Sequence, residues 1–151
     1  MIRNLGVSML VAGVLVASAA AQSRPTAPPQ YDPSAEVSSG GVITGVISVT
    51  GPDGTVGVHL NVKTGTGVIV KVHLGPAMFI GMNNFSFLMD EQVLVTGSFV
   101  SHGGDRALWA REVHKDGKTL TLRSPDGTPR WPFATADDPD GCGVSHAPVQ
   151  Y

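Results

Sequence analysis

Val56-Gly57-Val58-His59-Leu60-Asn61-Val62-Lys63-Thr64-Gly65-Thr66-Gly67-Val68-Ile69-Val70-Lys71-Val72-His73-Leu74 is the stretch that decides the fold. Val56, Val58, Leu60 and Val62 alternate with Gly57, His59, Asn61 and Lys63, the period-2 pattern of a strand with one buried face. Val68, Val70, Val72 and Leu74 resume the alternation after a Gly-containing turn. Two such runs joined by a short glycine-rich loop form a β-hairpin. A three-residue loop at Gly65 to Gly67 pairs Thr64 with Val68. Counting back, Val62 then faces Val70, Leu60 faces Val72, and His59 faces His73. A slip by two would set His59 against Lys71 instead.

The same pattern extends outward. Val42 to Thr50 reads as a first strand, closed by the turn Gly51-Pro52-Asp53-Gly54. Val93 to Val100 and Ala107 to His114 read as the fourth and fifth strands. Asp116-Gly117 makes a two-residue turn, because both positions favour φ > 0, and Lys118 to Arg123 returns from it. Gly75 to Asp90 is apolar without alternating, with Met78, Phe79, Ile80, Met82, Phe85, Phe87, Leu88 and Met89. A helix or plug that closes a barrel end has this composition, and methionine commonly fills irregular core gaps. The expectation is an all-β chain: a small OB-like Greek-key barrel of five to six strands with a short helical plug between strands 3 and 4. A sandwich would want more strands.

The barrel is expected over residues 41–131, with flanks of different character. Arg3, the apolar run Leu5 to Ala17 and Ala19-Ala20-Ala21 form a secretory signal peptide over residues 1–21. Its apolar run is shorter than the roughly 20 residues of a spanning helix, so no stable membrane insertion is expected after cleavage. No lipobox cysteine follows, and the product is expected in the periplasm or secreted. Residues 22–40 read as a Pro-rich flexible linker, and 132–151 as a flexible acidic, Pro-containing tail. The whole chain has ten Lys and Arg against twelve Asp and Glu, a net charge of −2. Loss of Arg3 makes the balance more acidic, which excludes an electrostatic footprint for nucleic acid. Cys142 is the single cysteine, so no intramolecular disulfide forms.

Several segments resemble small exported bacterial OB-fold proteins: Val72-His73-Leu74-Gly75-Pro76-Ala77 with Phe79, Val93-Leu94-Val95-Thr96-Gly97-Ser98, Ala110-Arg111-Glu112-Val113, and Lys118 to Arg123 with Asp126-Gly127 and Trp131. Some of those proteins are related to the nitrite-reductase accessory protein NrfJ. The periplasmic bacterial OB-fold (BOF) family is a more distant likeness. Met78 and Phe99 depart from the pattern. The resemblance implies a fold and a periplasmic setting, and it brings no catalytic residues.

The chain has no nucleophile elbow, P-loop or dinucleotide-binding glycine pattern, so it is not expected to be an enzyme. The polar face of the central hairpin is the expected ligand surface, with His59, Asn61, Lys71 and His73, joined by Trp109 as a stacking group. Directly opposed residues lie about 4.5–5.5 Å apart at Cβ, so His59 and His73 could share a metal ion, with Cys142 and His146 assisting. The alternative is two solvated histidines on a polar face. No cofactor is required, and copper, zinc or haem are the candidates if one binds. The leading function is an exported, non-enzymatic binding or accessory module for an envelope protein or a small ligand. Metal or haem handling is the alternative.

Overall fold

The computed structural model describes residues 30–51, 53–102 and 104–132. A 3₁₀ turn, Pro33–Ala35, leads into six strands: β1 (Glu36–Thr50), β2 (Val56–Thr64), β3 (Ile69–Pro76), β4 (Gln92–His102), β5 (Asp105–Lys115) and β6 (Lys118–Thr121). One helix, α1 (Ala77–Met82), lies between β3 and β4. The sheet order is β3-β2-β1-β4-β5-β6, and a parallel pairing of β3 with β5 closes the ring. This is the OB-like barrel that the sequence leads one to expect, with the plug in its expected place.

β1 makes closure possible because it serves two neighbours. Its first half pairs with β4, from Glu36 opposite Ser98 to Val42 opposite Gln92. Its second half pairs with β2, and a bulge between Ile43 and Gly45 bends it from one partner to the other. The loop entering β4 is fastened at that bend: Ile43 N–H donates to the Glu91 carbonyl and Asp90 N–H to the Ile43 carbonyl, both at 2.9 Å. Bulges of this kind raise local twist and turn barrel corners. β1 starts at Glu36, so residues 36–40 are strand and not the linker expected over 22–40. The stretch Val37-Ser38-Ser39-Gly40-Gly41 has no apolar alternation to announce it; ladder hydrogen bonds to β4 hold it, with Ser38 and Thr96 hydroxyls 2.8 Å apart. Residues 1–29 and 133–151, and with them the signal and tail expectations, lie outside the described residues.

The core fills with the alternating residues: Leu60 and Val62 from β2, Val72 and Leu74 from β3, Val93 and Val95 from β4, Leu108, Ala110 and Val113 from β5. Ile80 and Phe87 close one end, with Phe79 and Phe85 half-buried beside them. The three methionines of this segment do not fill the core. Met78, Met82 and Met89 are all more than half exposed, because the three phenylalanines and Ile80 supply the volume. β6 is shorter than expected, ending at Thr121. Leu122 to Arg130 instead form a small hairpin around Pro125-Asp126-Gly127, with Ser124 N–H donating to Thr128 O and Arg130 N–H to Leu122 O.

Candidate functional site

The β2–β3 register sets Val62 opposite Val70, Leu60 opposite Val72, Asn61 opposite Lys71 and His59 opposite His73. The hairpin count therefore holds, since Thr64 N–H donates to Val68 O at 2.9 Å across the turn. The two imidazoles stack face to face, with centroids 3.8 Å apart and planes 9° from parallel. The parallel β3–β5 pairing then sets Trp109 beside His73, its ring centroid 6.5 Å away and its plane tilted 18°. Ile47 of β1 pairs with His59 on the other side. One row of the barrel's outer face thus runs Ile47, His59, His73, Trp109.

This row is drier than a polar face should be. His59 is 8% exposed and Trp109 only 3%, so Trp109 is no open stacking platform and His59 no solvated histidine. What covers the outer face comes from the two ends of the barrel domain. Tyr31 packs on the cluster of Val100, Ala107 and Trp109. The Arg123 guanidinium lies 5.6, 5.2 and 5.1 Å from the rings of Tyr31, Trp109 and Trp131, distances at which a cation is attracted to the ring face. Gly127 (φ +87) and Gly75 (φ +133) leave room for Tyr31 and Trp131: a Cβ at either would fall within 2.6–2.8 Å of those rings. The sequence offers one signal of this arrangement, since three of the chain's four Tyr and Trp residues gather around Arg123.

Tyr31 is tied down chemically as well. Its hydroxyl donates to Glu36 Oε1 at 2.6 Å, and Arg111 Nε donates to the same oxygen at 2.7 Å. Arg111, and then Tyr31, hold the Glu36 carboxyl below the usual carboxylate range against the opposing effect of burial. Burial, followed by the hydrogen bond to Glu36, pushes the Tyr31 hydroxyl well above its ordinary value.

The wetter part of the face lies one row away. Asn61 and Lys71 are half-exposed, and Lys71 Nζ pairs with Asp105 Oδ2 at 2.5 Å. Asp105 is held below the usual range first by that hydrogen bond and the Lys71 charge, with a smaller contribution from His73. His59, His73, Asn61 and Lys71 therefore come together as expected. Cys142 and His146 lie outside the described residues, and among the described residues no group of three or more His, Cys, Asp or Glu gathers as a metal site would require.

A small OB-like barrel with an aromatic–imidazole row across β2, β3 and β5 is the class of protein these features define. The model of the MamS/MamX magnetosome protein family matches residues 36–120, from the first residue of β1 into β6. The chain belongs to that family. The match lends no support to kinship with the NrfJ-related or BOF proteins, and it leaves Tyr31, Arg123 and Trp131 outside its span. No curated protein matches the sequence.

Proposed function

We propose that the protein is an exported, non-enzymatic accessory module that binds an envelope protein or a small ligand through the outer face of β2 and β3. The observation that carries this reading is the His59–His73 stack in the middle of that face, bordered by the polar pair Asn61 and Lys71. OB-type barrels present ligands with this face and its adjoining loops. The family name supports a magnetosome setting for the role. Kinship with exported NrfJ-related and BOF-like proteins would fit it too, on the likeness of segments. Among the described residues no helix is long and apolar enough to cross a membrane.

The experiment places a photo-crosslinking side chain at Lys71, and in a control at Thr119 of β6. A discrete adduct from position 71 alone, lost on Asn61→Arg, is expected. Equal labelling from both positions would remove the face from consideration. Fusion of residues 1–40 to a reporter active only after export tests the compartment.

Handling of copper, zinc or haem is the second reading, and it rests on the same pair. Imidazole nitrogens ligate in the plane of the ring, and stacked rings keep those planes parallel, so an ion between them would sit far out of both. Chelation here requires one ring to rotate. Titration with Cu²⁺, Zn²⁺ and haem decides it: binding weaker than about 10 μM, near −7 kcal/mol, or indifferent to His73→Ala, rejects the reading.

A further inference from the structure

A groove of about 750 Å³ crosses the outer wall between the tips of the β2–β3 and β5–β6 hairpins, and it lies apart from the histidine row. The strand registers say what faces it. Gly40 pairs with Leu94, and Leu94 pairs with His114, so these three share one outward row. Two residues along β1, Val42 pairs with Lys63 on one side and with Gln92 on the other, giving a second row on the same face.

The notch at Gly40 has no structural reason to exist. Its neighbour Gly41 is required, since a Cβ there would run into the Lys63 carbonyl. A Cβ at Gly40 would meet Leu94 Cδ1 at 3.6 Å and the Val93 carbonyl oxygen at 3.8 Å, both ordinary contacts, and its φ is not in the left-handed region. Gly65, at the rim, is equally unconstrained, with nothing within 4 Å. A strand glycine often marks a bulge, a barrel corner or a place where something else approaches the backbone. The β1 bulge lies at Ile43 to Gly45, beyond Gly40, which leaves the last of these for the notch.

The walls of the groove specify what that is. Leu94 is 44% exposed and Val42 half-buried, which gives an apolar floor beside the notch. Of the lysines that line it, Lys115 is already held by Glu91 Oε2 and the Ser86 carbonyl, each at 2.7 Å, with Asp116 at 3.7 Å. His114 is engaged with the Thr119 hydroxyl at 2.7 Å and has Glu112 at 3.7 Å. Lys63 is exposed and has no ion pair among the described residues. One uncommitted ammonium next to an apolar notch suits a single negative charge on a compact apolar body. A phosphate dianion would want more than one such cation. The volume lies inside the roughly 300–1,000 Å³ of small-molecule sites.

We infer that this groove binds a compact amphiphilic organic monoanion, a carboxylate or sulfonate whose apolar body lies on Gly40, Val42 and Leu94 while its acid group meets Lys63. The test is a ¹H–¹⁵N NMR titration of the protein with naphthalene-2-sulfonate, and with the neutral naphthalene-2-sulfonamide as comparison. Saturable shifts are expected at the Gly40, Lys63, Gly65 and Leu94 amides, with the sulfonamide about fivefold weaker, the upper end for one exposed charge pair. Gly40→Val should fill the notch and weaken the sulfonate by about tenfold or more, equivalent to about 1.4 kcal/mol. Lys63→Met, at an exposed position, should reduce the sulfonate to the level of the sulfonamide. Shifts scattered over the surface or centred on Met78 to Met89 would overturn the assignment, as would unchanged affinity in both variants. None of these outcomes bears on the crosslinking result at Lys71.

Discussion

Truncating Tyr31 should uncover Trp109, and the cost can be worked from the contacts. The Tyr31 hydroxyl donates to an ionised acceptor, Glu36, at 2.6 Å. Hydrogen bonds to charged groups contribute about 1.5–3 kcal/mol. Glu36 keeps its 2.7 Å bond from Arg111 when the hydroxyl goes, so the carboxylate is not orphaned and the lower end applies. Tyr31→Phe should therefore cost about 1.5 kcal/mol. Full burial of an aromatic ring is worth about 3–5 kcal/mol on truncation. Tyr31 is half-buried against Trp109, Val100 and Ala107, which adds about 2 kcal/mol to Tyr31→Ala, for about 3–4 in all. Urea unfolding measures both numbers, and acrylamide quenching separates the two causes. Trp109 and Trp131 are 3% and 2% exposed, so the wild type and Tyr31→Phe should both resist quenching. In Tyr31→Ala one of the two indoles should become accessible. If Tyr31→Ala loses the expected stability yet both indoles stay shielded, Tyr31 is not what keeps the end of the row dry, and the account of the covered face fails.

Three further outcomes follow from the same structure. Gly97→Ala should destabilise by about 3 kcal/mol or more in urea, since its Cβ would collide with the Trp109 backbone carbonyl at the β4–β5 bulge and overpacking against backbone has no flexible side chain to yield. Glu36, whose folded carboxyl is held low by Arg111 and then Tyr31, contributes stability that is present above the ordinary carboxylate range and lost as the pH falls through its lowered value. Unfolding followed from pH 7 to pH 2 should show that acid-side loss shrink in Glu36→Gln, which begins less stable at pH 7; an unchanged acid limb would assign the loss to other carboxylates. Replacing Met78, Met82 and Met89 together by alanine should alter stability by no more than about 1.5 kcal/mol in thermal or urea melts, because all three are exposed, whereas a loss above about 4 kcal/mol would return them to the core.

What the sequence made legible divides along physical lines. Strand identity and the pairing of β2 with β3 came from two local rules, the period-2 alternation and a three-residue turn, and both act over a few residues. They were enough to set His59 against His73 across a hairpin. The start of β1 was not legible, because Ser38-Ser39-Gly40-Gly41 takes its order from the β4 ladder, a partner more than fifty residues away. The methionines misled for a related reason: composition says that a segment is apolar, while which of its residues enter the core depends on the volume left by the strands. Ile80 and Phe87 take that volume and the methionines stay outside.

The deeper failure concerns the outer face. Alternation sorts residues into two faces, and it assumes that the face without Val and Leu is wet. In a closed barrel the inner face is dry by construction, but the outer face is wet only where nothing lies on it. Here Tyr31, before β1, and Arg123, after β6, meet over Trp109 of β5, and Trp131 of the core lies against the same guanidinium. They turn one end of the row into a buried one, and in its middle the stack with half-buried His73 helps to bury His59, while Ile47 at the other end is 40% exposed. A ligand that reaches this row engages it from the side of Asn61 and Lys71 or of Ile47, or displaces Tyr31. Gly40 makes the complementary case. On the opposite stretch of β1 the outer face lacks a side chain that the fold would have tolerated, and the wall stays open. Reading function from such a barrel depends less on which face a residue occupies than on whether the chain's own ends reach across to cover it.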